Sequence, residues 1–356
     1  MTPKRIILVG AYPPPYGGIS VHIQRLATSI KHAFGVKVID LHNTAGSTPE
    51  YVVRPRRNPL RLIQIALEGG PTVVHLHVSA ITSRLRIFCA LLKGLSYFKP
   101  TIVTIHSGSF NEGFRQLRPR LRGRLIAALQ RCIGVIVVNE VQKSILVKEG
   151  IAQERVHVVP AFLPPVHETY SLPHYIASQL QGRELIVTSG YGLRHYGFHT
   201  LLDALAQLSP DIAERVALVV GLYNQYDAGY VEELERRAFH SAVPCIITRD
   251  LRPEHFADIL RRGRIYVRAT DWDGDAVALR EAAYFGLQVI ASDCVLRPVG
   301  SVLFSTNESS MLADKVEAVW HDKGLGLVHF DPTVGLRSLM SIYQDAHQFF
   351  YPMRET

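Results

Sequence analysis

Arg5-Ile-Ile-Leu-Val-Gly10-Ala-Tyr-Pro-Pro-Pro-Tyr-Gly17-Gly18-Ile-Ser20 begins as a short apolar run, turns through three prolines and a glycine pair, and enters a segment of helical spacing. Four apolar residues before Gly10 are too few for a secretory core and read as a strand buried on both faces. The alternation recurs. Apolar runs at Val36–Asp40, Thr72–His77, Thr101–His106 and Gly134–Asn139 are separated by helical patterns at Ile19–Phe34, Leu60–Leu67, Ile81–Phe98 and Leu121–Arg131. Strands separated by helices build right-handed βαβ units and a parallel sheet covered on both faces. The pattern stops at Val159-Pro-Ala-Phe-Leu-Pro-Pro-Val166, a stretch suited to an interdomain connection. It restarts at Glu184–Thr188 and continues through Val216–Gly221, Pro244–Ile247, Ile265–Arg268 and Gln288–Ser292. The expected architecture is α/β: two facing Rossmann-like, doubly wound parallel-sheet domains at 1–164 and 165–334, with a helix at 335–356 crossing back to the first.

Size and composition agree with this division. A chain of 356 residues holds about two domains of ordinary size. With 47% hydrophobic and 20% charged residues it is neither disordered nor fibrous. Its net charge of +8 points to an anionic partner: nucleic acid, a phosphorylated metabolite or an anionic membrane. No apolar run approaches bilayer length, so the expectation is a cytoplasmic protein, soluble or peripheral on the membrane. Cys89, Cys132, Cys245 and Cys294 lack metal-ligand spacing and read as buried free thiols.

In doubly wound sheets, ligands sit beyond the carboxyl ends of the strands. Neither the G-x-G-x-x-G fingerprint nor a P-loop is present. Gly17-Gly18 before a helix either lets backbone amides approach a phosphate or makes a tight turn needing positive φ. His75 and His77 share one strand face, and His106 ends the next strand among small neighbours; each is either a cleft ligand or a core-edge imidazole bonded to the backbone. Ser189-Gly190-Tyr191-Gly192-Leu-Arg194-His195-Tyr196-Gly197 again combines glycines and an Arg ahead of a helix. Most informative is Arg268-Ala-Thr-Asp271-Trp-Asp273-Gly274-Asp275-Ala276-Val277-Ala-Leu-Arg280-Glu281. There Gly274 permits a turn, Asp275 can cap the following helix, Asp273 projects from the loop, and Glu281 lies about 9 Å along the helix. Two such carboxylates can act as acid and base or bind sugar hydroxyls.

Together these segments resemble the GT-B glycosyltransferases, specifically the retaining enzymes of glycosyltransferase family 4, in order and over nearly the whole length. Gly17-Gly18 resembles the glycine loop that meets the donor phosphate, and Thr104-Ile-His106 the strand-end histidine near the reacting sugar. His157-Val-Val-Pro160-Ala is similar to the Val-Ile-Pro-Asn that precedes the second domain, and Asp273 through Glu281 to the Glu-x7-Glu segment. The resemblance implies that Asp273 contacts the donor sugar and Glu281 the ribose, that the amides of Gly274, Asp275, Ala276 and Val277 meet the diphosphate, and that the nucleobase lies near Leu251. It also implies no metal and no cofactor beyond the nucleotide-sugar co-substrate, and a lipid-linked saccharide or other glycan acceptor in surface polysaccharide assembly. Three features depart from the family. The first acid is Asp273 rather than Glu, Ala161 replaces the asparagine, and the family's Gly-Arg…Lys-Gly clamp falls on Gly190-Tyr191 and Tyr196-Gly197. Losing a charged hydrogen bond costs about 1.5–3 kcal/mol each. Arg194 and Arg268 are the expected replacements. The alternatives are a catalytically silent GT-B subunit or another GT-B chemistry such as nucleotide-sugar epimerisation.

The positive charge is uneven. Phe114–Arg131 carries Arg115, Arg118, Arg120, Arg122, Arg124 and Arg131 without an acid, interleaved with Leu117, Leu121, Leu125 and Ile126. Arg54, Arg56, Arg57 and Arg61 form a second group. A basic amphipathic surface suits an anionic membrane or a phospholipid-linked acceptor, against the alternative of a solvated helix. No recognition motif or stacking platform accompanies it, which argues against nucleic acid.

Overall fold

The computed structural model describes residues 4–42, 48–54, 69–78, 85–106, 110–165, 172, 174–180, 182–273 and 277–351. The helical pattern at Leu60–Leu67, most of the second arginine group, and Gly274, Asp275 and Ala276 fall outside them. The chain forms two compact units, one of Met1–Val166 with Pro332–Thr356 and one of His167–Asp331.

The first unit contains a parallel seven-stranded sheet: β1 (Arg5–Gly10), β2 (Gly35–Asp40), β3 (Val52–Val53), β4 (Thr72–Val78), β5 (Thr101–Ile105), β6 (Gly134–Val137) and β7 (Val156–Val158), ordered β3-β2-β1-β4-β5-β6-β7. Alternation sorts each strand onto two faces. Ile6, Leu8, Val38, Val73, Ile102 and Ile136 pack beneath α1 (Gly18–Ile30), while Ile7, Val9, Ile39, Val74, Val103 and Val135 face the other way, toward α2 (Leu85–Phe98), α3 (Phe110–Gln116), α4 (Pro119–Leu129) and α5 (Glu140–Lys148). Both sets are essentially inaccessible to water, which makes the strands continuous apolar runs.

The second unit repeats the plan with six parallel strands, β8 (Glu184–Gly192), β9 (Val216–Tyr226), β10 (Cys245–Arg249), β11 (Gly263–Arg268), β12 (Gln288–Ser292) and β13 (Val302–Phe304), in the order β10-β9-β8-β11-β12-β13. One face carries α6 (Phe198–Leu205), α7 (Ala228–Phe239) and α10 (Ser309–His321). The other carries α8 (Pro253–Arg262) and α9 (Val277–Tyr284). The final helix, α11 (Val334–Phe350), packs in the first unit: Leu339, Tyr343 and Ala346 join the α1 face of its sheet.

Strand boundaries fall within two residues of the apolar runs except where pairing outlasts the core. β8 continues to Gly192 and β9 to Tyr226, so Gly190 and Gly192 lie on a strand rather than in the loop after it. The short edge strands β3, β7 and β13 have no counterpart in the sequence reading. Cys89 and Cys132 are buried thiols, but Cys245 and Cys294 are only half-buried.

Candidate functional site

Each unit gathers polar side chains at the carboxyl ends of its central strands. In the second unit β11 ends at Arg268, directly opposite Ala291 of β12. The Arg268 guanidinium donates to Asp273 through Nε to Oδ2 at 2.9 Å and Nη2 to Oδ1 at 3.1 Å, a bidentate pair, and through Nη1 to the Ser189 carbonyl at 2.9 Å. Arg297, from the segment after β12, donates to the same Asp273 Oδ2 at 2.8 Å. Its remaining nitrogens reach the Ser292 carbonyl at 2.9 Å, and the hydroxyls of Ser292 and Thr270 at 3.0 Å each. The side chains of Asp273, Arg268 and Arg297 are 10%, 10% and 2% exposed. Burial pushes the Asp273 carboxyl up, but Arg268 and Arg297 outweigh it and hold it down at about 2. The Asp273 charge likewise raises Arg268 against the opposing effect of burial.

Asp273 therefore does not project from its loop as the sequence suggested. It is turned inward, between two guanidiniums. Two cations against one carboxylate leave a surplus of positive charge in this cluster. Arg297 was missed from sequence, because nothing links it to Asp273 except the juxtaposition of β11 and β12.

Tyr196 stands where the clamp lysine was expected, its ring 5.0 Å below the Arg268 guanidinium. A Cβ on Gly190 would lie 1.9 Å from that ring, so glycine at 190 accommodates Tyr196. A Cβ on Gly192 would meet Val231 at 2.8 Å. Arg194 does not join the cluster. It pairs with Glu233 and lies 4.9 Å over the Tyr230 ring, 59% exposed. Trp272, beside Asp273, is exposed and stacks on His195 at 4.2 Å. Val277 opens α9 half-buried, and Glu281 is half-buried on the same helix; burial first and then the Glu281 charge raise the Tyr223 hydroxyl. Leu251 follows Asp250 (φ +48°) and packs in the apolar core with Ile246, Phe256 and Ile259.

In the first unit, Gly17 caps α1 with φ −168°, and neither Gly17 nor Gly18 has positive φ, which removes the tight-turn reading of the pair. A Cβ on Gly18 would meet nothing within 4 Å. Gly17 N–H donates to Ser20 Oγ at 3.0 Å, and that hydroxyl donates to the Pro15 carbonyl at 2.7 Å.

Four imidazoles meet behind this helix start. The parity of β4 turns His75 and His77 toward α1, which supplies His22. His75 is fully buried and bonded on both ring nitrogens, to the Tyr343 hydroxyl and to Thr104 Oγ1, each at 2.6 Å. It is a satisfied core residue. His77 Nδ1 shares a hydrogen bond with His106 Nε2 at 3.0 Å, and His106 meets His22 edge-on with ring centroids 4.8 Å apart. Burial depresses all four, His22 to about 4 and His75 to about 3; His22 further lowers His75, and both of them further lower His77 and His106, so the group is neutral near pH 7.

Of the arginine-rich stretch, Arg115, Arg118, Arg120 and Arg124 are exposed. Arg122 folds back 3.6 Å from Glu149 and 5.2 Å over the Phe114 ring. On α2, which packs against α4, Ile87, Tyr97 and Phe98 are exposed, and Arg131 lies 6.0 Å over the Tyr97 ring. Among the described residues no helix is long and apolar enough to cross a membrane.

Residues 16–165 match the family model described as Glycosyltransferase Family 4. Across nearly its whole length the chain is similar in structure to HepE of Anabaena in complex with UDP and glucose (14% identity over 98% of this chain and 100% of that one, TM-score 0.67). It is similar to a glycosyltransferase from Rickettsia africae ESF-5 (13% identity, 96% and 98% covered, TM-score 0.70). A third such structure is an α,α-trehalose-phosphate synthase (UDP-forming) from Burkholderia vietnamiensis (14% identity, 96% and 95% covered, TM-score 0.68). A sequence search finds no significant match among curated proteins. Its two parallel-sheet α/β units match the fold of these GT-B glycosyltransferase structures.

Proposed function

We propose that the chain is a retaining glycosyltransferase that moves a sugar from a nucleotide-sugar donor to a lipid-linked saccharide or glycolipid acceptor, in surface polysaccharide assembly at the cytoplasmic face of a membrane. One observation carries the donor half: the Arg268–Asp273–Arg297 cluster leaves surplus positive charge at the carboxyl ends of β11 and β12. Fixed guanidiniums in a low-dielectric setting stabilise charge that develops on a departing diphosphate and need no reorganisation when it forms. In this reading Arg268 and Arg297 supply the cations that Tyr191 and Tyr196 cannot, Asp273 orients the donor sugar, and Glu281 holds the ribose. The first-turn amides of α1 behind Gly17 and Gly18 meet a phosphate, and His106 bonds a sugar hydroxyl. The donor's C1–O bond to the diphosphate breaks as the acceptor oxygen bonds to C1 on the same face. The acceptor's proton passes to the leaving diphosphate, so no protein base and no metal take part in transfer. The exposed arginines of α3 and α4, with Tyr97 and Phe98 nearby on α2, suit an anionic bilayer.

A second reading, a silent binding subunit, is favoured by the same Asp273, whose carboxylate is already bonded to two arginines. Thermal melts with a panel of nucleoside diphosphates and their sugars separate the two. A transferase is stabilised by one nucleotide family and slowly releases that nucleoside diphosphate from its sugar. Stabilisation without any release over long incubation would leave the binding subunit.

A further inference from the structure

His22, His77 and His106 each offer a ring nitrogen, and these three nitrogens lie within 4.8 Å of one another. Among the described residues, His22 Nε2 and His77 Nε2 are buried without a hydrogen-bond partner. Leaving two polar nitrogens unpaired in a core costs free energy that some ligand can recover. His22 also carries the support a metal ligand needs. Its Nδ1 lies 2.8 Å from the Ala161 carbonyl, which can only accept, so Nδ1 holds the proton and Nε2 presents its lone pair. Beneath His77, at a ring separation of 4.1 Å, His75 is fixed by Thr104 and Tyr343 and cannot swing into the group.

The geometry points to a divalent transition-metal site, with Zn²⁺ as the fitting ion, built from His22 of α1, His77 of β4 and His106 after β5. Three imidazoles without a carboxylate in the group disfavour magnesium, calcium and manganese, which take oxygen ligands, and suit zinc, whose nitrogen bonds are about 2.0–2.1 Å. Three nitrogens bound at that length in a tetrahedron sit about 3.4 Å apart, so side-chain rotations of order 1 Å close the site, with the 3.0 Å His77–His106 hydrogen bond given up as His106 turns to the ion. His106 is the least buried of the three, which puts the fourth position on its side, and an overall +2 charge there calls for an anionic or water ligand. The site rests on no reading of the sugar chemistry: a chain that transfers nothing would bind the ion equally well. The ion and a sugar hydroxyl compete for the same His106 ring, so the ion occupies the protein that holds no sugar there.

The test is competition between chelator-stripped protein and a chromophoric zinc chelator. The expected result is one Zn²⁺ per chain at micromolar Kd or tighter, weakened at least 100-fold in His22→Gln and in His77→Gln and unchanged in the exposed-residue control His240→Gln. Equal affinity in wild type, His22→Gln and His77→Gln, or no stoichiometric site, overturns the proposal. Should the variants not fold, X-ray absorption on wild-type protein loaded with one Zn²⁺ decides. Three imidazole nitrogens at about 2.0–2.1 Å support the site; one or two imidazoles sink it.

Discussion

Arg297 Nη1 lies 2.8 Å from Asp273 Oδ2, on the carboxylate that Arg268 already holds bidentately. The three residues come from the ends of adjacent strands, and the pairing makes the loop after β11 part of the core rather than a free arm. Two guanidiniums are thereby held in fixed orientation at the ends of β11 and β12, while Tyr191 and Tyr196 carry no charge there.

Removing the Asp273 charge should therefore destabilise the second unit. Asp273→Asn leaves two buried guanidiniums without a counter-charge, a loss of about 3–5 kcal/mol, or roughly 10 °C in Tm for a unit of this size. The carboxyl is held below its unfolded value, so its contribution is present above about pH 4 and fades as pH falls through about 2. The gap between variant and wild type should be full at pH 7 and narrow in strong acid. Trp272 and Trp320, the chain's two tryptophans, both lie in this unit and report the melt by fluorescence. Melting within a degree of wild type at pH 7 would contradict the account.

The imidazole group predicts acid lability of the other unit. His22, His75, His77 and His106 are neutral when folded and titrate near 6.5 when unfolded. Between about pH 6.5 and 4 the unfolded chain binds more protons, so stability is complete above 6.5 and falls with decreasing pH, by up to about 1.4 kcal/mol per pH unit for each histidine. Urea midpoints followed by far-UV circular dichroism from pH 7.5 to 4.5 should drop steeply. A flat profile would mean that the rings are hydrated rather than buried.

Gly197 tests a close approach. It has φ +68°, and a Cβ there would lie 1.8 Å from the Ala269 carbonyl oxygen; Gly182 has φ +76° with open space around it. Gly182→Ala should cost about 1 kcal/mol of backbone strain. Gly197→Ala adds a backbone collision and should reduce soluble yield or lower Tm by several times as much. Equal melts for the two variants would remove the collision from the explanation.

Most strands were legible because a strand buried on both faces is a continuous apolar run. β1 and β12 begin and end at the residues the pattern marked. β3, β7 and β13, two or three residues long at the sheet edges, carry too little alternation to see. The site was less legible. Asp273 and Arg268 stand out at a strand end, but Arg297 is 24 residues beyond Asp273 and is joined to it only by the packing of β11 on β12. His22 reads as one polar residue within the Ile19, Ile23, Leu26 stripe of α1. Only the parity of β4, which turns His75 and His77 to that helix, makes it part of a cluster.

The arginine surface yields the last prediction. Arg115, Arg118, Arg120 and Arg124 are exposed, whereas Arg122 is drawn to Glu149. Each basic residue near an anionic leaflet contributes about 1 kcal/mol, so four together change the partition by roughly a thousandfold. Replacing those four with Gln should abolish sedimentation with vesicles containing phosphatidylserine. Arg122→Gln, whose charge is already neutralised, should change it little. Because all four side chains are solvated, circular dichroism and Tm should stay at the wild-type values, which separates lost binding from lost folding. Tyr97→Ser with Phe98→Ser should weaken the remaining attachment in high salt, where the charge is screened and only the apolar contact persists. Vesicle binding that is unaltered in the four-arginine variant would return these residues to an ordinary solvated helix and leave the membrane reading without support.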